Sequence, residues 1–78
     1  MTLPKAYVLI NVDTAYTSQV MERINGLAGI GEVHEVLGPF DVVAEVETSG
    51  MQDLIVVLRD EIRVIPGVKN TVTCITVD

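Results

Sequence analysis

Residues 32–47, EVHEVLGPFDVVAEVE, decide the fold of this chain. Before Gly38-Pro39, the residues Val33, Glu35 and Leu37 alternate with Glu32, His34 and Val36. After it, Val42, Ala44 and Val46 alternate with Val43, Glu45 and Glu47. A period of two on both sides of a turn signal describes two strands folded into a hairpin. The Gly-Pro pair supplies the reversal, because Gly accepts backbone angles barred to other residues and Pro fixes its own φ. Directly after it stand Phe40 and Asp41, an aromatic ring and a carboxylate, which suit a small ammonium-bearing ligand. An ordinary hairpin would instead pack Phe40 inward and leave Asp41 in water.

Each side of this hairpin continues into a helix and a further strand. Upstream, Ala6-Tyr7-Val8-Leu9-Ile10-Asn11-Val12 is a nearly continuous run of strand formers, as in a strand covered on both faces. Hydroxyls between Thr14 and Ser18 offer caps for a helix marked by Val20, Ile24 and Leu27 and stopped by Gly29. Downstream, Ser49-Gly50-Met51-Gln52 matches a capping box. Leu54, Leu58 and Ile62 mark a second helix that Pro66-Gly67 ends, and residues 69–77 supply a β-branched last strand.

The two halves echo each other. Val20, Ile24, Leu27, Gly29 and Ile30 recur as Leu58, Ile62, Ile65, Gly67 and Val68 at one constant offset. A doubled β-α-β unit of this kind predicts an α+β, ferredoxin-like βαββαβ sandwich, with both helices on one face of a four-stranded antiparallel sheet. The strands carry apolar residues on both faces, so stacking two open sheet faces would bury the second set and give a dimeric α+β barrel.

Composition points the same way. Seventy-eight residues make one domain, residues 1–78, and 49% of them are hydrophobic, with one Phe, two Tyr and no Trp. The mean hydropathy is +0.44. So much aliphatic surface on a chain that buries only about 60% of its unfolded area implies burial against another subunit. A net charge of −6, with Lys5, Arg23, Arg59, Arg63 and Lys69 scattered, lacks the basic footprint that nucleic acid requires. No apolar run is long enough for a signal region or a membrane span, so the expected location is cytoplasmic, with no membrane partner. Cys74 stands alone in a β-rich tail, where a buried thiol serving as a small hydrophobe is expected.

No catalytic constellation emerges. His34 has no second His and no CxxC beside it, so neither a metal site nor a cofactor site is visible. Gly26, Gly29 and Gly31 neither follow a strand nor open a helix, as a phosphate loop must. The sequence reads as a binding module rather than an enzyme.

The βαββαβ order, the turn Leu37-Gly38-Pro39-Phe40-Asp41 and the tail Ile65-Pro66-Gly67-Val68-Lys69-Asn70-Thr71-Val72-Thr73 together resemble the effector-binding domain of the Lrp/AsnC regulators. That domain is called RAM, for regulation of amino acid metabolism. The resemblance implies an amino-acid-binding homodimer, assembled into a ring of dimers, with the effector held at contacts between dimers. Full-length members carry an N-terminal helix-turn-helix; Met1 to Lys5 leaves no room for one, so the resemblance is to the stand-alone type, with full-length Lrp/AsnC regulators as its expected partners. Phe40 stands where the family often has Tyr.

The residues fit such a site. Gly38, Pro39, Phe40 and Asp41 form the candidate ligand loop, in which Asp41 can pair with an α-ammonium and backbone donors near Gly38 can meet a carboxylate. Thr71 and Thr73 share one face of the last strand and add hydroxyls, although Thr is also simply a good strand former. Two alternatives have a weaker basis. An ACT-type sensor would place a Gly near the first strand–helix junction, where Asp13-Thr14-Ala15-Tyr16 has none. A small dimeric α+β barrel enzyme, such as a cofactor-free monooxygenase, would need a polar pocket that His34 alone does not make.

Overall fold

The computed structural model describes residues 5–77, and the expectation drawn from residues 1–4 lies outside them. Four strands, β1 (Lys5–Val12), β2 (Ile30–Glu35), β3 (Val42–Glu47) and β4 (Val68–Ile75), form one antiparallel sheet in the order β2-β3-β1-β4. Helix α1 (Thr17–Asn25) joins β1 to β2, and α2 (Met51–Val56) runs into a π-helical segment (Val57–Ile62) before β4. This is the ferredoxin-like βαββαβ order expected from the sequence.

The two central strands set the core. Ala6, Val8, Ile10 and Val12 of β1 lie beside Val42, Ala44 and Val46 of β3, and all seven are buried. Val20 and Ile24 of α1, with Leu54, Val57, Ile62 and Ile65 from the second crossover, close over them. Alternation puts the other half of each strand on the opposite face, where Tyr7 and Val72 are exposed and Leu9 and Val43 are half-buried. The strands are therefore apolar on both faces, with helices over only one.

The echo between the halves has a structural counterpart. Gly29 and Gly67 are the glycines at positive φ, +85° and +101°, and each stands immediately before the strand that follows its helix. A side chain at Gly67 would also fall on Tyr16. The repeat breaks inside the helices. The second half buries Val57 with Ile62, five residues apart, and leaves Leu58, the counterpart of Val20, only partly buried. One π turn brings such a pair to the same face, and the Arg63 N–H bonds to the Leu58 carbonyl at 2.9 Å.

Local caps differ from the sequence reading. The Asp13 carboxylate, rather than a hydroxyl, accepts the Ala15 N–H at 3.2 Å before α1. The Ser49 hydroxyl reaches the Asp53 carboxylate and caps no backbone donor of α2, because Gly50 occupies the cap position itself. Helix α1 ends at Asn25, short of Gly29. Cys74 is exposed instead of buried, since it opposes Tyr7 on the face the helices do not cover.

Candidate loop site at the end of the sheet

Strand β2 stops at Glu35, and the Val36 N–H then bonds to the Asp41 carbonyl at 2.9 Å, closing a loop over residues 36–41. Leu37, which the alternation assigned to the strand, is fully exposed on this loop. Gly38 and Pro39 are exposed, whereas Phe40 and Asp41 are half-buried. Gly38 has no positive φ, and a Cβ there would meet open space. The reversal thus rests on the whole six-residue loop and not on glycine's special angles.

Three hydrogen bonds tie the loop to the end of β1. The Asp41 N–H donates to the Ile10 carbonyl at 3.0 Å. The Val12 N–H donates to Asp41 Oδ2 at 2.8 Å, in a partly buried position. The Asn11 side-chain Nδ2 donates to the Pro39 carbonyl at 2.9 Å. The β1–β3 pairing ends at Ile10 opposite Val42, so the Asp41 carboxylate satisfies a strand donor just past that point. Among the described residues, Oδ1 of Asp41 accepts no bond, and the amides of Leu37, Gly38 and Phe40 donate none. A carboxylate oxygen and three unspent amides in one short loop can meet both ends of a zwitterion.

Thr71 and Thr73 sit elsewhere in the sheet. They oppose Ile10 and Val8 on β4, so their side chains share the helix-covered face with those core residues. Asp41 and Thr71 flank Ile10 from its two sides, roughly 9–10 Å apart at two strand spacings. Asn11 belongs to the open-face set, which means that the Pro39 carbonyl is held from the other side. Within one chain the structure therefore gathers Gly38, Pro39, Phe40 and Asp41 but leaves Thr71 and Thr73 apart from them. Asn11 escaped the sequence reading; its signal is a lone polar side chain near the end of an otherwise apolar strand.

Other concave and titratable features lie away from the loop. A cavity of about 10 Å³, room for one water at most, lies among Ala6, Val46, Leu54, Met51 and Ile75 at the opposite end of β1. A shallow depression runs along α1 by Gln19, Glu22, Arg23 and Leu27. His34 is exposed, 3.9 Å from Glu32. Among the described residues no group of three His, Cys, Asp or Glu side chains converges on a common point. The Lys5 ammonium, 3.5 Å from Glu47 and 3.9 Å from Glu45 on the open face, is held above its usual pKa by Glu45 first, then by Tyr7 and Glu47. No helix among the described residues is long and apolar enough to cross a membrane.

Comparison with known proteins places these features in a family context. The model of the Lrp/AsnC ligand-binding domain matches residues 5–78. An uncharacterised helix-turn-helix-type transcriptional regulator of Pyrococcus abyssi is 34% identical over 76 residues, covering 94% of this chain and 51% of its own length. This chain thus spans about half the length of that curated relative. A homocitrate synthase of Sulfolobus acidocaldarius is 33% identical over 69 residues, which cover 87% of this chain and 14% of the enzyme. Among solved structures, TTHA0845 from Thermus thermophilus superposes with a TM-score of 0.94 at 30% identity, covering 97% of this chain and 95% of that one. A Neisseria meningitidis transcriptional regulator solved with L-methionine shares the fold, with a TM-score of 0.85 at 10% identity over 96% of this chain and 50% of its own.

Proposed function

Because this chain belongs to the Lrp/AsnC ligand-binding domain family, we propose that it senses a free amino acid through the loop at residues 36–41. The observation that carries this reading is the pairing of unspent loop amides with the free Oδ1 of Asp41. The amides receive the α-carboxylate and Oδ1 receives the α-ammonium, each through a charge-assisted bond. Gly38, Pro39 and Phe40 shape the loop, and Phe40 lies beside the ammonium.

Thr71 and Thr73 join the site from a second copy. In a single chain they face the helices while the Pro39 carbonyl is anchored from the open face, so one small ligand meets both sets only between copies. The open sheet face, with Tyr7, Leu9, Val43 and Val72 at its centre, forms the homodimer, and contacts between dimers complete a ring. The unit acts in the cytoplasm as a regulatory module of residues 1–78, not as an enzyme, and co-assembles with full-length Lrp/AsnC regulators. With its net charge of −6 it makes no contact with duplex DNA itself.

The homocitrate synthase match supports a second reading, in which the same amino-acid sensor serves an enzyme rather than a promoter. The barrel-enzyme reading has no comparable support, because exposed His34 lines neither of the two concavities described above.

The test is thermal unfolding in the presence of each of the twenty amino acids. A ligand at 100 times its Kd adds about 2.7 kcal/mol of stability. At least one amino acid should raise the melting temperature in a dose-dependent way. No rise with any of the twenty at millimolar concentration refutes amino-acid sensing.

A further inference from the structure

We propose that Asn11 is a positioning residue for the ligand loop, holding the Phe40 amide in the geometry that receives a carboxylate. This inference rests on the amino-acid reading above and adds to it a residue outside the loop. The geometry is specific. The Asn11 Nδ2 donates to the Pro39 carbonyl at 2.9 Å across 28 residues of sequence. The Pro39 carbonyl shares its peptide plane with the Phe40 N–H, so fixing that carbonyl fixes the direction of the Phe40 amide. The other two tethers, Asp41 N–H to Ile10 and Val12 N–H to Asp41 Oδ2, both act at the last loop residue. Asn11 supplies the tether nearest the tip, and it does so from β1, a central strand of the sheet. Preorganised donors bind more tightly than donors that must be ordered by the ligand.

Asn11→Asp keeps the shape, removes the donor and sets a carboxylate against the Pro39 carbonyl. Asn11→Gln keeps an amide donor. Two measurements on the whole chain separate positioning from general stability. First, ¹⁵N relaxation of the unliganded protein reads loop order directly. The Phe40 amide should move from roughly 0.8 in order parameter to below about 0.6 in Asn11→Asp, with β3 unchanged, and stay ordered in Asn11→Gln. Second, calorimetry compares L-methionine with L-methioninamide, which keeps the ammonium but lacks the carboxylate. Asn11→Asp should weaken L-methionine roughly two- to ten-fold and leave the amide within about two-fold.

An unchanged order parameter at Phe40 in Asn11→Asp overturns the proposal. Equal weakening of L-methionine and its amide overturns it as well, because a merely destabilised loop would lose both alike. If the wild type binds no L-methionine, the relaxation data decide the role of Asn11 by themselves. Failure of all twenty amino acids in the melting assay would sink the sensing reading instead.

Discussion

Asp41 should have two separable effects, one on folding and one on binding. Its Oδ2 accepts the Val12 N–H at 2.8 Å in a partly buried position where the β1–β3 pairing has just ended. Asp41→Ala removes a hydrogen bond to a charged group and strands a backbone donor, a loss of roughly 1.5–3 kcal/mol. For a domain of this size each kcal/mol shifts the melting temperature by about 4–8 °C. The expected fall is therefore at least about 6 °C at fixed protein concentration. Asp41→Asn behaves differently, because its amide oxygen can still accept from Val12 while the negative charge is gone. It should stay within about 1 kcal/mol of wild-type stability. Its affinity for the amino acid should nevertheless drop about ten- to a hundred-fold, the equivalent of a lost charge-assisted bond. Melting curves and calorimetry on both variants, with assembly checked by light scattering in the same samples, give the answer. Wild-type stability in Asp41→Ala would show that the Val12 bond holds nothing together. Wild-type affinity in Asp41→Asn, with assembly intact, would show that the carboxylate does not hold the ligand.

Three further outcomes follow from the fold. Light scattering at micromolar concentration should show at least twice the 8.5 kDa chain mass, and Leu9→Asp with Val72→Asp on the open face should reduce it; a wild-type monomer refutes the stacked-sheet dimer. Gly67→Ala should destabilise by more than about 1 kcal/mol, since φ is +101° and the new methyl group would meet Tyr16, whereas Gly38→Ala should change stability by less than about 0.5 kcal/mol; equal melting temperatures for the two variants would contradict this. A duplex DNA probe at physiological salt should not be retained by the chain, and salt-dependent retention would overturn the argument from its −6 charge.

The element order, and which residues of β3 enter the core, were legible in the residue pattern alone. Period-two alternation in Val42, Ala44 and Val46 marked the face that β3 buries, whereas the nearly continuous apolar run from Ala6 to Val12 left its helix-covered face open until the strand register set it. The doubled pattern ending in Gly29 and Gly67 also had a local cause, because a positive φ is a property of a single residue. What depends on two distant segments could not be read this way. The Asp41 carboxylate meets Val12, and Asn11 meets Pro39, only because the sheet order puts β3 beside β1 and brings the loop over the end of that strand. The π turn from Val57 to Ile62 likewise has no local signature, since core packing chose Val57 over Leu58 for the buried face. Cys74 looked like a core thiol by composition, and only its register opposite Tyr7 put it on the open face. Local chemistry wrote the strands and turns; strand order and register decided which side chains face each other at the site.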